Sequence, residues 1–249
     1  MKRSLFGAIF VLLFLTACAR IPEVTELASL PEQTEALPQP ITENELGVID
    51  GYDYELWKDR GETQMLLQGG GAFRCDWKNI NNALFRIGRK FDCTQTWQQI
   101  GPVFVDYSAE YAPVGNSYLC VYGWTREPLV EFYVVQSWGT WRPPGAQALA
   151  TVEIDGAQYD IYRTQRVNQP SIDGTQTFDQ YWSVRKGKCT EAVVSVSDHF
   201  RAWEEQGLVL GKLYEVAMTV EGYQSSGTAI VHRNEILIGE QDTPVSEEE

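Results

Sequence analysis

Histidine is nearly absent from this chain of 249 residues. Only His199 and His232 occur, and neither has a cysteine or a second histidine at ligand spacing. A nitrogen–sulfur metal site is therefore not encoded. There is no Cys-x-x-Cys pair, so no dithiol or zinc-ribbon motif is present. Basic residues are few, with 20 Lys+Arg against 34 Asp+Glu and a formal charge of −14. Nucleic-acid binding rests on neutralising phosphates, and adhesion to anionic lipid rests on positive charge, so both are excluded as general partnerships. The main apolar run, residues 5–17, is thirteen long, short of the roughly 20 needed for a mature spanning helix. Gly69-Gly70-Gly71 leads into Ala-Phe-Arg in a strand context and lacks the Lys-Ser/Thr of a phosphate loop. Residues 222–227, Gly-Tyr-Gln-Ser-Ser-Gly, are not a nucleophile elbow. The glycines and prolines follow no three-residue period, which excludes collagen, and there is no internal repeat. What is present is a hydrophobic content of 43 %, enough for a core, together with eight Trp and twelve Tyr. These rings combine an apolar face with a polar edge and suit a surface that grips something flat and polar.

The two ends read differently from the middle. Lys2 and Arg3 precede the apolar run, which closes in Leu15-Thr16-Ala17-Cys18. That is the layout of a signal peptide over residues 1–17, and the last four residues resemble the lipobox of bacterial lipoproteins. The resemblance implies an acylated Cys18, a cell-envelope lipoprotein, and contact with membrane only through that lipid. Ordinary secretion to the exterior, with cleavage after Ala19, is the alternative. Residues 18–50 carry four prolines, seven acids, one base and no aromatic. They are expected to form an extended acidic tether, spanning roughly 30 Å on average, because they bury too little to offset their ordering entropy. Residues 240–249 hold five acids and read as a solvated tail. Most of the acidity is thus expected in these ends, leaving residues 51–239 as a single domain.

Within that domain the apolar period is two. Tyr118, Cys120, Tyr122 and Trp124 alternate with Leu119, Val121 and Gly123. Residues 151–154 and 158–162 flank Asp155-Gly156, a hairpin signal. Residues 178–184 and 192–196 are further strands. One helix is expected after Ser197 as its cap, with Phe200 and Trp203 on one face and Gly207 at its end. On that helix His199 reads as a surface or capping residue. The fold expectation is all-β, a sandwich or barrel with one packed helix. Cys75, Cys93, Cys120 and Cys189 make an even set that in an exported chain points to disulfides, with Cys75 and Cys93 flanking one hairpin-like stretch; free buried thiols are the alternative.

Two carboxylates stand out among the aromatics. Glu131 shares a strand face with Tyr133, while Val130 and Phe132 point the other way, and Glu221 sits in Val-Glu-Gly-Tyr-Gln. A solvated strand face is the ordinary reading of such a glutamate. A pair of them in an aromatic-lined groove is what glycoside hydrolysis requires.

Taken in order, Tyr-Gly-Trp-Thr-Arg (122–126), Pro-Leu-Val-Glu-Phe-Tyr (128–133), Trp-Gly-Thr-Trp-Arg-Pro-Pro-Gly (138–145), Tyr-Asp-Ile-Tyr (159–162), Gln-Pro-Ser-Ile-Asp-Gly (169–174), Gln-Tyr-Trp-Ser-Val-Arg (180–185) and Glu-Gly-Tyr-Gln-Ser-Ser-Gly (221–227) resemble glycoside hydrolase family 11, the small endo-β-1,4-xylanases. The resemblance spans nearly all of residues 51–230. It implies a β-jelly roll of two twisted antiparallel sheets forming a cleft, with one helix on the back. It further implies a monomer that acts on xylan and xylo-oligosaccharides without metal or cofactor. Glu131 matches the nucleophile of a retaining mechanism and Glu221 its general acid/base. Tyr122, Tyr133, Arg166 and Gln180 match substrate-side or nucleophile-side contacts, Trp57 an aromatic sugar platform, and Pro170 the thumb hairpin over the sugar. Asn82 matches the residue that tunes the acid/base, and asparagine there implies a near-neutral optimum. One departure concerns a family tyrosine six residues before the acid/base: position 215 is Glu and Tyr214 is one step further back, so either a bulge restores the contact or it is absent. A non-catalytic sugar-binding jelly-roll lipoprotein, or a structural or ligand-carrying one, would share the aromatic groove without needing both glutamates.

Overall fold

The structure is a computed structural model, and it describes residues 39–239. The expected signal peptide, Cys18 and the tail from 240 lie outside the described residues. Twelve strands and two helices occur among the described ones. In chain order they are β1 (Glu45–Ile49), β2 (Tyr52–Lys58), β3 (Glu62–Gly69), β4 (Ala72–Lys78), β5 (Asn82–Lys90), α1 (Trp97–Ile100), β6 (Val103–Arg126), β7 (Val130–Trp138), β8 (Ala150–Ile154), β9 (Ala157–Ser171), β10 (Gly174–Arg185), β11 (Glu191–Ser195), α2 (Val196–Glu205) and β12 (Lys212–Ile238).

β6 and β12, of 24 and 27 residues, run side by side through the whole domain and join its two layers into one hydrogen-bonded sheet. Their first contact zone, residues 103–114 of β6 against 226–238 of β12, carries β4 and β11. Their second, 116–126 against 212–223, carries β5 and β7 and forms the inner layer β1-β2-β5-β12-β6-β7-β10-β9-β8. The register breaks between Tyr223 and Ser226. Gly115 (φ 101°) and Gln224 (φ 48°) take left-handed backbone there, which lets both strands turn the corner together. The two expected sheets are thus two layers of one sheet.

Alternation sorts the side chains onto two faces. Leu119, Val121, Val130, Phe132, Val134, Val216, Met218 and Val220 point between the layers. Phe132 packs edge-on against Phe200 of α2 at 4.9 Å and against Trp203 at 5.9 Å. Gly123 permits this approach, since a Cβ there would lie 2.4 Å from the Phe132 ring. Tyr118, Cys120, Tyr122, Trp124, Tyr133, Val135, Tyr162, Phe178, Trp182 and Val184 form a second cluster on the opposite face.

Several expectations are corrected. The sheet begins inside the stretch read as tether: Ile41 exchanges two backbone hydrogen bonds with Met65, and β1 pairs along β2. An edge strand needs backbone partners more than side-chain burial, and Leu46 and Val48 stay exposed. Composition therefore hid it. Glu43, Glu45 and Asp50, counted with the tether's acids, instead bond Lys58, Tyr54 and the Gly70 amide. The cap of α2 is Ser195, whose Oγ accepts from the Asp198 amide, while Ser197 Oγ accepts from the Val103 amide. His199 is fully buried against Tyr159 at 4.6 Å, one helical turn before Trp203 on the apolar stripe, and burial pushes its pKa down to about 3. Cys75, Cys93, Cys120 and Cys189 are all free, Cys75 and Cys120 wholly buried on opposite faces. The Asp155-Gly156 turn (φ 52° and 68°) joins β8 to β9 as read.

Candidate active site

Register builds the site. One row of directly paired residues crosses five strands as Glu215–Trp124–Glu131–Gln180–Thr164. A second crosses as Trp57–Leu84–Glu221–Tyr118. Between them Tyr122 pairs with Tyr133, which stacks flat on Trp182 at 4.0 Å. β7 and β10 are parallel in an otherwise antiparallel neighbourhood, and this sets Gln180 beside Glu131.

Glu131 is 8 % exposed and accepts three hydrogen bonds. Tyr122 Oη donates to its Oε1 at 2.8 Å, Tyr133 Oη to Oε1 at 3.1 Å, and Gln180 Nε2 to Oε2 at 2.6 Å. Two of these donors are themselves oriented by indoles. Trp124 Nε1 donates to Tyr122 Oη at 2.6 Å, so the phenol's own proton is left for Glu131. Trp182 Nε1 donates to Thr164 Oγ1 at 2.9 Å, and Thr164 Oγ1 donates to Gln180 Oε1 at 3.0 Å, which turns the amide nitrogen toward Glu131. An indole N–H can only donate. Both chains therefore run one way and end on a group that must accept, the ionised carboxylate.

Glu221 is in a different position. Its Oε2 is buried without a hydrogen-bond partner. Burial, then the charge of Glu131, pushes its pKa up to about 8. Burial also raises Glu131, but Gln180, Tyr122 and Tyr133 each pull it back toward the ionised form. Two carboxyls in one site thus part into an acceptor and a proton holder.

The other anticipated residues fall as follows. Trp57 is half-buried and packs on the cleft-side cluster. Arg166 is exposed on β9, bonds Gln169 at 3.3 Å, and its charge favours ionisation of both glutamates. Pro170 stands opposite Thr175 near the tip of the β9–β10 hairpin, whose turn is Ile172-Asp173. Asp173 reaches Arg126 with contacts of 2.6 and 3.0 Å, and Ile172 packs on the cleft-side cluster. Asn82 pairs with Tyr223, which places it diagonal to Glu221 on the same face; its Oδ1 is enclosed without a partner. The bulge at position 214 is present: the register shifts between Leu213 and Glu215, and the extra residue, Tyr214, lies under Arg126 at 4.6 Å beside the cleft cluster. Sequence reasoning missed Thr164 and the orienting indoles of Trp124 and Trp182, whose roles depend on cross-strand register. Among the described residues no group of three or more His, Cys, Asp or Glu could hold a metal ion.

Comparison with known proteins follows the geometry. Residues 49–232 match the family described as Glycosyl hydrolases family 11. The chain is 60 % identical over 199 residues to Endo-1,4-beta-xylanase A of Bacillus pumilus, covering 80 % of this chain and 87 % of that protein. It is 61 % identical over 204 residues to Endo-1,4-beta-xylanase A of Thermoclostridium stercorarium, covering 82 % of this chain and 31 % of that protein. The chain spans about a third of the length of the first curated relatives it matches. Among solved structures, the family 11 xylanase from Neocallimastix patriciarum superposes with a TM-score of 0.76 at 39 % identity, over 81 % of this chain and 100 % of that one.

Proposed function

The chain belongs to glycosyl hydrolases family 11, and from that membership and the geometry of its cleft we propose that it is an endo-1,4-β-xylanase. It cleaves internal bonds of xylan and xylo-oligosaccharides by double displacement with retention of configuration. Glu131 is the nucleophile and Glu221 the general acid/base. The observation that carries this reading is the one-way hydrogen bonding onto Glu131 beside a Glu221 that keeps its proton.

In the first step the ionised Glu131 attacks the anomeric carbon while Glu221 gives its proton to the departing glycosidic oxygen. The covalent ester removes the charge of Glu131, which is a main reason Glu221 holds its proton. Glu221 then ionises and takes a proton from the water that hydrolyses the ester. Tyr122, Tyr133 and Gln180 keep Glu131 aimed and ionised; Trp57 and the thumb around Pro170 hold the sugar; Arg166 adds positive charge to the cleft wall. Asn82 Oδ1 is an enclosed acceptor on the face of Glu221, and a protonated Glu221 is a donor to match it. Activity rises as Glu131 loses its proton and falls as Glu221 loses its own near pH 8, which places the optimum near neutrality.

The protein is exported and held at the cell envelope by lipid on Cys18; the lipobox-like sequence supports this, and the intact mass of the mature protein tests it. It acts as a monomer, which sedimentation of the purified protein tests. For the activity, xylan is incubated with wild type and Glu131→Gln and reducing sugar is measured. Release by wild type, with loss in the variant, is expected. No release by wild type, or undiminished release by the variant, overturns the reading.

A further inference from the structure

Beside the catalytic pair, on the same face of the inner layer, stands a buried charged cluster that the proposed chemistry does not use. Arg86 of β5 is 7 % exposed and lies between Glu55 of β2 and Glu215 of β12. Its Nη2 donates to Glu55 Oε2 at 2.6 Å, and its Nε is 3.1 Å from Glu215 Oε1. Glu215 is 2 % exposed, and its Oε2 has no hydrogen-bond partner. A buried ion cluster is poor value for stability, since desolvation consumes what the pairing gains. What sets this one apart is its third contact. The guanidinium carbon lies 5.1 Å from the ring centroid of Tyr122, the phenol that donates to Glu131. Cation and ring face attract, and a planar guanidinium clamped by carboxylates is a rigid platform.

We propose that Arg86 is a positioning residue: held by Glu55 and Glu215, it fixes the Tyr122 ring so that its hydroxyl meets Glu131. The proposal rests on the reading of Glu131 as nucleophile. The titratable and charged groups around Arg86 are Glu55 on β2, Glu215 and Glu221 on β12, Tyr122 on β6 and Glu131 on β7; Asp53 and Lys90 act on Glu215 from β2 and β5. A nearby cation and a donating phenol both favour the anion. Loss of the Tyr122 donation raises the pKa of Glu131, so the acidic limb of kcat/KM moves to higher pH.

Replacing Arg86 alone would strand the buried Glu215 and the partly buried Glu55, so the test uses Glu55→Gln/Arg86→Met/Glu215→Gln, which removes all three charges. That change removes one cation and two anions, a net −1 whose loss by Coulomb alone would favour ionisation of Glu131, so the folded variant is read through kcat rather than through its acidic limb. Its kcat is expected to fall about tenfold, with KM changed far less. A folded triple variant whose kcat matches wild type overturns the proposal. Arg86→Lys is the second arm: it keeps the charge and loses the flat face, so kcat falls and the acidic limb moves to higher pH, by up to about one pH unit, as Tyr122 stops donating to Glu131. An unchanged kcat in Arg86→Lys overturns the positioning role even if the triple variant does not fold. Glu131→Gln run alongside separates the two failures. Activity surviving there removes the nucleophile reading itself, whereas activity lost there beside superposed Arg86 profiles removes only the role of Arg86.

Discussion

The two faces of the inner layer are written by the same strands, one residue apart, yet they are held by different physics. On the core face Val121, Phe132, Val134 and Met218 are wholly buried among apolar neighbours. On the cleft face Tyr122, Glu131, Tyr133 and Gln180 are nearly as buried, and they are polar. The core face is stabilised by area removed from water and by close packing. The cleft face is kept in one arrangement by directed hydrogen bonds, at the cost of a buried charge. Neighbouring substitutions on β7 should therefore split stability from activity.

The widest split is expected between Glu131→Gln and Phe132→Ala. The first removes the proposed nucleophile and a buried charge while keeping the side chain's shape. Xylan hydrolysis should fall at least about a thousandfold, roughly 4 kcal/mol or more of transition-state stabilisation, with the melting temperature unchanged or higher. The second leaves the cleft chemistry in place and opens a cavity against Phe200 and Trp203. Denaturant unfolding should show a loss of about 3–5 kcal/mol. If Phe132→Ala abolished activity in molecules shown to be folded, or Glu131→Gln destabilised as much as it did, the two faces would not be independent.

A smaller effect separates the faces by pH. The pKa of Glu221 is raised in the folded protein from 4.5 to about 8. Between those values the native state keeps a proton that the unfolded chain has released, so stability falls as pH rises through this window. Glu221→Gln abolishes the titration. Its melting temperature should exceed wild type by a growing margin between pH 5 and pH 8, an effect of up to a few kcal/mol. A constant difference across that range would contradict the assignment of the proton to Glu221. Core-face variants such as Phe132→Ala should show no such slope relative to wild type.

How much of this was legible in the sequence divides along the same line. The alternation around residues 118–124 and 130–135 correctly sorted side chains onto the two faces, because a strand's period is strictly two. The Asp155-Gly156 turn and the helix through Phe200 and Trp203 were also legible, since each is a local signal. β1 was not, because its partners are backbone atoms of β2, and neither was the lone Ile41–Met65 bridge that precedes it. His199 was misplaced because a histidine on an apolar stripe looks polar in composition and is neutral when buried. Glu131 and Glu221 were singled out through motifs. Thr164 and Arg86 were not, for their partners lie 16 and more than 30 residues away, and only strand register brings them together.

Thr164→Val breaks one of the two chains onto Glu131 while keeping size. Gln180 loses the hydroxyl that orients its amide, and the Trp182 indole loses its acceptor. One neutral hydrogen bond is worth about 1 kcal/mol, so kcat/KM should drop several-fold, and the buried indole N–H left without its acceptor should cost about 1–3 kcal/mol of stability. A Thr164→Ser variant, which restores the hydroxyl, should recover most of the loss. No recovery would mean that the methyl packing, rather than the relay, is what matters at this position.

The smallest effect is expected at the mouth of the cleft, where neither face's physics applies. Asp173 at the hairpin tip and Arg126 on β6 are both more than a third exposed, so their ion pair is screened by solvent. Asp173→Asn should change thermal stability by less than about 1 kcal/mol. The hairpin tip is also fastened by Ile172 on the cleft cluster, so the variant should loosen the tip without releasing it. A modest rise in KM for xylan, reduced further when wild type and variant are compared at high salt, is the expected reading. A large kcat loss in Asp173→Asn would show instead that the tip acts on the reacting carboxylates, joining the exposed rim to the buried relay that ends on Glu131.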